Sequence, residues 1–202
     1  MNVKSTYSNV GQWLHRHRLT PMVNVVLFAL ITYAFHKLWW DFHRVIMAVD
    51  MVSGAAAWLA EQVFRQSLWF NTRVLGLQIE VAPPTTMLFG QVNGYITVNE
   101  SCSGLKQFYQ ISVLFVLFPG PWKQKLWFIP AGWLIMFFTN VFRIIALSLI
   151  LVWKPEYWNF SHDWILRPFF YVVIFALWVW WVERYGGFFR KQPLVGNHKP
   201  PA

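Results

Sequence analysis

The chain has 202 residues, of which 56% are hydrophobic and 12% are charged, and its formal net charge is +9. Soluble domains carry about 25% charged residues, so this composition excludes an ordinary cytosolic enzyme and predicts a single integral membrane domain, 1–202. The single cysteine excludes an internal disulfide framework and a zinc site built mainly on thiolates, and we expect neither a metal nor a cofactor.

Four apolar stretches, taken in chain order, reach or approach the length of about 20 residues that a membrane span needs. They lie at about 21–40, 103–118, 126–153 and 164–182. The first is not expected to be a signal peptide, because its apolar run is too long and no small-residue cleavage site follows it. The pattern therefore predicts an all-α membrane protein with about four transmembrane helices.

Two segments between the first and second spans are predicted to lie on the membrane surface. Residues 45–64 combine two carboxylates with a run of small residues, which is typical of an amphipathic helix at the interface. Residues 75–99 contain alternating and β-branched residues with the turn signals Pro83-Pro84 and Asn93-Gly94. We expect an interfacial helix at about 45–64 and a small extracytoplasmic β-hairpin at about 75–99.

The distribution of charge predicts the orientation of these elements. The segments 1–20, 119–125 and 183–202 hold nine Lys or Arg and one acid, whereas the other 155 residues hold eight and seven. The positive-inside rule places these three segments, including a tail at 183–202, in the cytoplasm, and four crossings satisfy that arrangement. Cytoplasmic segments then account for the excess positive charge, so we expect no nucleic-acid partner.

Three polar residues are predicted to meet at one depth near the outer side of the cytoplasmic membrane. Cys102 precedes the end of its span, Phe118, by 16 residues, and Arg143 follows the start of its span, Leu126, by 17. At a rise of about 1.5 Å per residue, both lie about 25 Å from the cytoplasmic turn. His162 begins the last helix near the same level. Because a buried arginine costs about 3 kcal/mol in a span, Arg143 is expected to face a protein interior or a cavity.

The chemistry of these residues fits a thiol nucleophile. A helix N-terminus and a nearby cation stabilise the thiolate, which is the reactive form of Cys102. His162 can take and return a proton, and Arg143 can bind an oxyanion or protonate a leaving group. Structural interpretations stay open, namely packing for the cysteine, capping for the histidine and headgroup binding for the arginine.

Three short motifs occur in order at the outer helix regions: ESCSGL at 100–105, NVFRI at 140–144 and SHD at 161–163. Together they resemble the exosortase/archaeosortase family of membrane transpeptidases. The resemblance covers about 94–185 and indicates a compact bacterial member.

The resemblance implies that Cys102, Arg143 and His162 are catalytic. We place Glu100, Asn140 and Gly104 beside them as supporting residues. Glu100 is expected to cap the helix that follows Cys102 or to pair with a cation, and Asn140 lies one turn before Arg143.

The function implied by the resemblance is cleavage of a C-terminal sorting signal outside the cytoplasmic membrane. Such a signal has a short motif, an apolar span and a basic tail. The acyl group would pass through a thioester on Cys102 to an amine or another surface acceptor. The expected partners are therefore substrate proteins that carry this signal, together with membrane lipid.

Two other functions are compatible with the residues alone. The first is an intramembrane serine protease with Ser101 or Ser103 as nucleophile and His162 as base. The second is a non-enzymatic lipid-binding subunit in which Arg143 holds an anionic headgroup.

Overall fold

A computed structural model describes residues 20–185, so most of the predicted cytoplasmic segments 1–20 and 183–202 lies outside the described residues. Four helices are continuous: α1 Thr20–Met47, α2 Asp50–Arg73, α3 Leu105–Leu117 and α4 Trp122–Trp153. The last helix, α5, consists of three consecutive segments: an α-helical turn Trp158–Phe160, a π-helical turn Ser161–Leu166 and an α-helix Arg167–Tyr185.

The prediction of a multi-pass membrane protein is confirmed, but the count of four spans is not. Three stretches in the described chain are long and apolar enough to cross a membrane: Pro21–Met47, Trp122–Trp153 and Pro155–Tyr185. Helix α3 has 13 residues and extends about 20 Å, which is short of the roughly 30 Å hydrocarbon core. The predicted span 103–118 is longer than the helix because residues 103 and 104 still belong to a non-α-helical loop.

Helix α2 covers 50–73 instead of the predicted 45–64. Helix α1 continues to Met47, beyond its predicted end at 40, and the extended backbone of Val49 separates the two helices. One face of α2 is buried through Ala56, Ala60 and Val63 and packs against α4. Small side chains on this face allow the two helices to approach closely. That α2 lies along the outer membrane surface stays a prediction.

The predicted hairpin at 75–99 is a three-stranded antiparallel sheet in the order β1-β2-β3. Its strands are β1 Glu80–Ala82, β2 Thr86–Phe89 and β3 Gly94–Thr97. The middle strand was not predicted, because its alternation covers only four residues, with Met87 and Phe89 buried and Leu88 more exposed. Met87 pairs with Val81 on one side and with Ile96 on the other.

Two hydrophobic cores lie along α4. The sheet-side core joins α2, the sheet, the second half of α4 and α5 through buried residues that include Val63, Phe64, Met87, Phe89, Ile96, Val98, Ile144, Leu147 and Leu166. The turn-side core joins α3, the first half of α4 and α5 through buried residues that include Ile111, Leu114, Phe115, Phe128, Met136, Phe170, Ile174, Trp178 and Trp181. Asn140 lies on α4 between the parts that enter the two cores.

The connection between α3 and α4 is tight, as predicted, and it closes the turn-side core. The indole N–H of Trp181 donates to the Pro119 carbonyl at 3.2 Å, which ties the end of α5 to this turn. The Lys125 ammonium is buried and donates to the Val116 carbonyl at 2.9 Å, so it satisfies a carbonyl in the last turn of α3. Since the last segment of α5 ends at this turn, His162 lies toward the opposite end of the bundle.

Candidate functional site

Cys102 ends a 3₁₀ turn, Glu100–Cys102, just before α3. The Asn99 side chain caps this turn, because its Oδ1 accepts from the backbone N–H of Ser101 at 3.1 Å. Gly104 then adopts a left-handed conformation with φ 85°, and α3 begins at Leu105. The candidate nucleophile therefore lies three residues before the first residue of α3, with a half-buried thiol.

Asn140 and Gly104 hold the Cys102 loop against α4. The Asn140 side-chain amide donates to the Cys102 carbonyl at 2.6 Å. A Cβ at position 104 would lie 3.2 Å from Asn140 Nδ2, so glycine is needed both for this close approach and for the positive φ. Irregular backbone at membrane depth is tolerated where protein buries it, and this contact supplies such a partner.

The Arg143 side chain faces the protein interior, as expected from its position in the span. It is only 9% exposed, and its guanidinium carbon lies 5.8 Å from the centre of the Phe170 ring. Its Nη2 lies 3.0 Å from Nε2 of His162. Its Nε is buried and has no hydrogen-bond partner among residues 20–185. Such a buried guanidinium, bonded to His162, does not reach outward to a lipid headgroup.

The hydrogen bonds of His162 define which ring nitrogen carries the proton. An arginine can only donate, so His162 Nε2 accepts from Arg143 and the proton lies on Nδ1. That Nδ1 lies 2.8 Å from Oδ1 of Asp163, which accepts its proton in a hydrogen bond. Asp163 also forms an ion pair with Arg167 at 3.0 Å. The result is a continuous chain of contacts from Arg167 through Asp163 and His162 to Arg143.

Cys102 reaches the same region through Asn140, which lies three residues before Arg143 on α4 and donates to the Cys102 carbonyl. No hydrogen bond joins the Cys102 sulfur to His162 in the described part of the chain. Helix α4 thus holds the Cys102 loop through Asn140 and the imidazole through Arg143, an arrangement that residue spacing alone did not predict.

The structure places five of the six predicted site residues together, namely Cys102, Gly104, Asn140, Arg143 and His162. The sixth, Glu100, is exposed, and its carboxylate forms no ion pair within residues 20–185. Glu100 does not cap α3, whose N-cap residue is Gly104, and the 3₁₀ turn that contains Glu100 is capped by Asn99.

Asp163 and Arg167 were missed as parts of the site. Adjacent side chains on an α-helix do not face each other, so Asp163 was not assigned as a partner of His162. His162 and Asp163 both lie in the π-helical turn, a type of turn that is frequent at functional sites, and Arg167 follows it directly. The sequence did contain a signal: Asp163 follows the candidate His162 directly, and Arg167 follows Asp163 by four residues.

Neither serine of the loop is arranged as a nucleophile with His162 as base. The Ser103 hydroxyl oxygen accepts from the backbone N–H of Leu105 at 3.2 Å. The Ser101 hydroxyl donates to Asn99 Oδ1. Among the described residues, the only side chains hydrogen-bonded to His162 are those of Arg143 and Asp163.

One comparison with known proteins gives a match. The family model described as transmembrane exosortase matches residues 10–181. The match begins well before residue 94, so the similarity extends over the N-terminal half that the motifs alone did not cover. No curated protein and no solved structure matches the chain.

Proposed function

Since the chain belongs to the transmembrane exosortase family, we propose that it is a cysteine transpeptidase acting at the outer face of the cytoplasmic membrane. Family membership itself indicates a membrane transpeptidase or protease that acts on proteins with sorting signals. The observation that supports a cysteine mechanism is that α4 holds the loop of the lone thiol, Cys102, through Asn140 and, one turn later, the His162–Asp163 pair through Arg143.

In the resting site, Arg143 donates to the lone pair of His162 Nε2. We infer that a bound substrate carbonyl draws an Arg143 N–H toward its oxygen and thereby frees Nε2. His162 then takes the proton of the Cys102 thiol at Nε2, and the Asp163 carboxylate stabilises the resulting imidazolium.

The first chemical step transfers the acyl group of the substrate to Cys102. The Cys102 sulfur attacks the carbonyl carbon of the scissile peptide, and Arg143 donates a hydrogen bond to the developing oxyanion. When the tetrahedral intermediate collapses, the C–N bond breaks and His162 gives its proton to the departing amine. The acyl group remains on Cys102 as a thioester, and the C-terminal part of the signal leaves.

The second step reverses these roles. An acceptor amine attacks the thioester, and His162 takes the proton that this amine loses. The C–S bond breaks, the acyl group passes to the acceptor, and His162 returns its proton to the Cys102 sulfur, which restores the thiol and the neutral imidazole that binds Arg143. Water in place of the amine gives hydrolysis by the same route.

Asn140→Ala should lower processing only in part. The substitution removes the hydrogen bond to the Cys102 carbonyl, which is worth roughly 1 kcal/mol, so we expect a rate about fivefold lower with a thioester still detectable. The measurement is the processing rate of a co-produced protein that carries a candidate signal.

The matched control is Thr139→Val, because within the described part of the chain the Thr139 hydroxyl bonds only to the Ile135 carbonyl of its own helix. Complete loss of the thioester in Asn140→Ala, with normal protein levels, would instead make Asn140 part of the reacting set.

The proposed location of the site can be tested together with its function. A membrane-impermeant maleimide added to intact spheroplasts should label Cys102, the only cysteine in the chain, and should stop processing. An alkaline phosphatase fusion at Gln124 should be inactive, because we propose that this turn is cytoplasmic. An active fusion would overturn the topology, and normal processing by the alkylated protein would overturn the cysteine mechanism.

A further inference from the structure

We propose that Asp163 is a positioning residue that selects the tautomer of His162 and, through it, the placement of Arg143 beside Cys102. This inference rests on the proposed function. Asp163 does not touch the reacting atoms and acts through His162 and Arg143.

The direction of the hydrogen bonds around His162 determines its tautomer. A guanidinium has donors only, so the 3.0 Å contact between Arg143 Nη2 and His162 requires a lone pair on Nε2. A neutral imidazole with a lone pair on Nε2 carries its proton on Nδ1. The Asp163 carboxylate accepts that proton at 2.8 Å and therefore stabilises the one neutral tautomer that can hold Arg143.

Asp163 and His162 each have a further contact on α5. Arg167 pairs with the same Asp163 Oδ1 at 3.0 Å from one helical turn away. Trp158 lies four residues before His162, with its ring nearly parallel to the imidazole at 9° and 6.2 Å between centroids. Both contacts lie within the first turns of α5 and favour the orientation in which the carboxylate faces Nδ1.

An amide at position 163 would no longer select one tautomer of His162. An asparagine can donate as well as accept, so it also permits the tautomer with the proton on Nε2. That proton would face an Arg143 N–H, and two donors cannot form a hydrogen bond. Arg143 would then lose its partner and its place beside Cys102. In serine proteases, the analogous Asp-to-Asn change lowers kcat about 10⁴-fold through the wrong histidine tautomer.

The test uses a spectroscopic signature that a merely structural role would not change. The full-length protein is labelled with ¹⁵N-histidine, reconstituted in lipid and studied by NMR, with His162→Gln used to assign one signal among six histidines. Wild-type His162 should show the Nδ1–H tautomer. Asp163→Asn should shift it toward the Nε2–H tautomer and slow thioester formation about 10²–10⁴-fold, the usual effect of disabling an acid–base group.

Two variants serve as controls. Glu156→Gln removes one negative charge from an exposed side chain that lies 3.9 Å from Lys154, and it should leave both readouts unchanged. Asp163→Glu keeps the carboxylate and should restore a substantial part of the rate.

Three results would each overturn the inference. They are an Nε2–H tautomer in the wild-type protein, a wild-type rate in Asp163→Asn, and a slow Asp163→Asn protein whose His162 tautomer is unchanged. The wild-type spectrum needs no variant and no substrate. It therefore tests this inference even if the proposed reaction fails, whereas loss of the cysteine mechanism would appear only in the processing assays.

Discussion

Cys102→Ala should abolish processing of a sorting-signal protein in cells, with no detectable cleaved product and with normal levels of the enzyme in the membrane. The reason is that no other thiol exists in the chain. Cys102→Ser should be inactive as well, because a serine hydroxyl gives up its proton far less readily than a thiol and is a weaker nucleophile. The measurement is an immunoblot that separates the precursor from the cleaved form.

Ser103→Ala is the matched control for this result. The Ser103 hydroxyl accepts from the Leu105 backbone, so its loss weakens the start of α3 without removing a group that contacts His162. We expect processing close to wild type. The reverse pattern, with an active Cys102→Ala and an inactive Ser103→Ala, would support the serine protease and contradict the cysteine mechanism.

Arg143→Lys should retain the positive charge but lose most of the activity. A planar guanidinium can donate to His162 and to a substrate oxygen from fixed directions, whereas an ammonium is a compact point charge. Loss of one oxyanion donor typically costs about 10²–10³-fold in kcat, and we expect a decrease of that size. The measurement is the single-turnover rate of thioester formation.

The rate at which Cys102 is alkylated distinguishes the effect of the Arg143 charge from the effect of the Arg143 geometry. The rate reports on Cys102 alone because the chain has no other cysteine. Arg143→Lys should be alkylated by iodoacetamide at nearly the wild-type rate, while Arg143→Gln should be alkylated more slowly at neutral pH because the stabilising charge is gone. Arg65→Lys, in an exposed ion pair with Glu61 on α2, is the matched control and should change nothing. A fully active Arg143→Lys would contradict the proposed role.

The similar level of the Cys102 loop and the Asn140–Arg143 turn of α4 was predictable because the rise of a helix is nearly constant. Two residues at equal distances from a tight turn must lie at similar depth on antiparallel neighbours. Asn140 followed from the same arithmetic, since it precedes Arg143 by one turn. Its hydrogen bond to the Cys102 carbonyl was not predictable, because it depends on the path of the loop between β3 and α3.

Other features depended on local geometry that the sequence pattern does not encode. The start of α3 at Leu105 follows from the left-handed Gly104, and this shortens the helix below the length of a span. Strand β2 is too short for its alternation to stand out. The pairing of Asp163 with His162 occurs in a π-helical turn, whereas spacing rules assume an α-helix. The predicted orientation rests largely on charges at 1–20 and 183–202, which lie mostly beyond the described residues.

The central claim is that an acyl group resides on Cys102 during the reaction, and intact-protein mass spectrometry after rapid mixing with a candidate substrate tests it most directly. The proposed mechanism predicts a mass increase equal to the acyl part of the substrate, mapped to the peptide that contains Cys102. Hydroxylamine at neutral pH should remove this adduct, and Cys102→Ala should not form it. Substrate cleavage with no adduct at any quench time, or an adduct on Ser103, would contradict the claim.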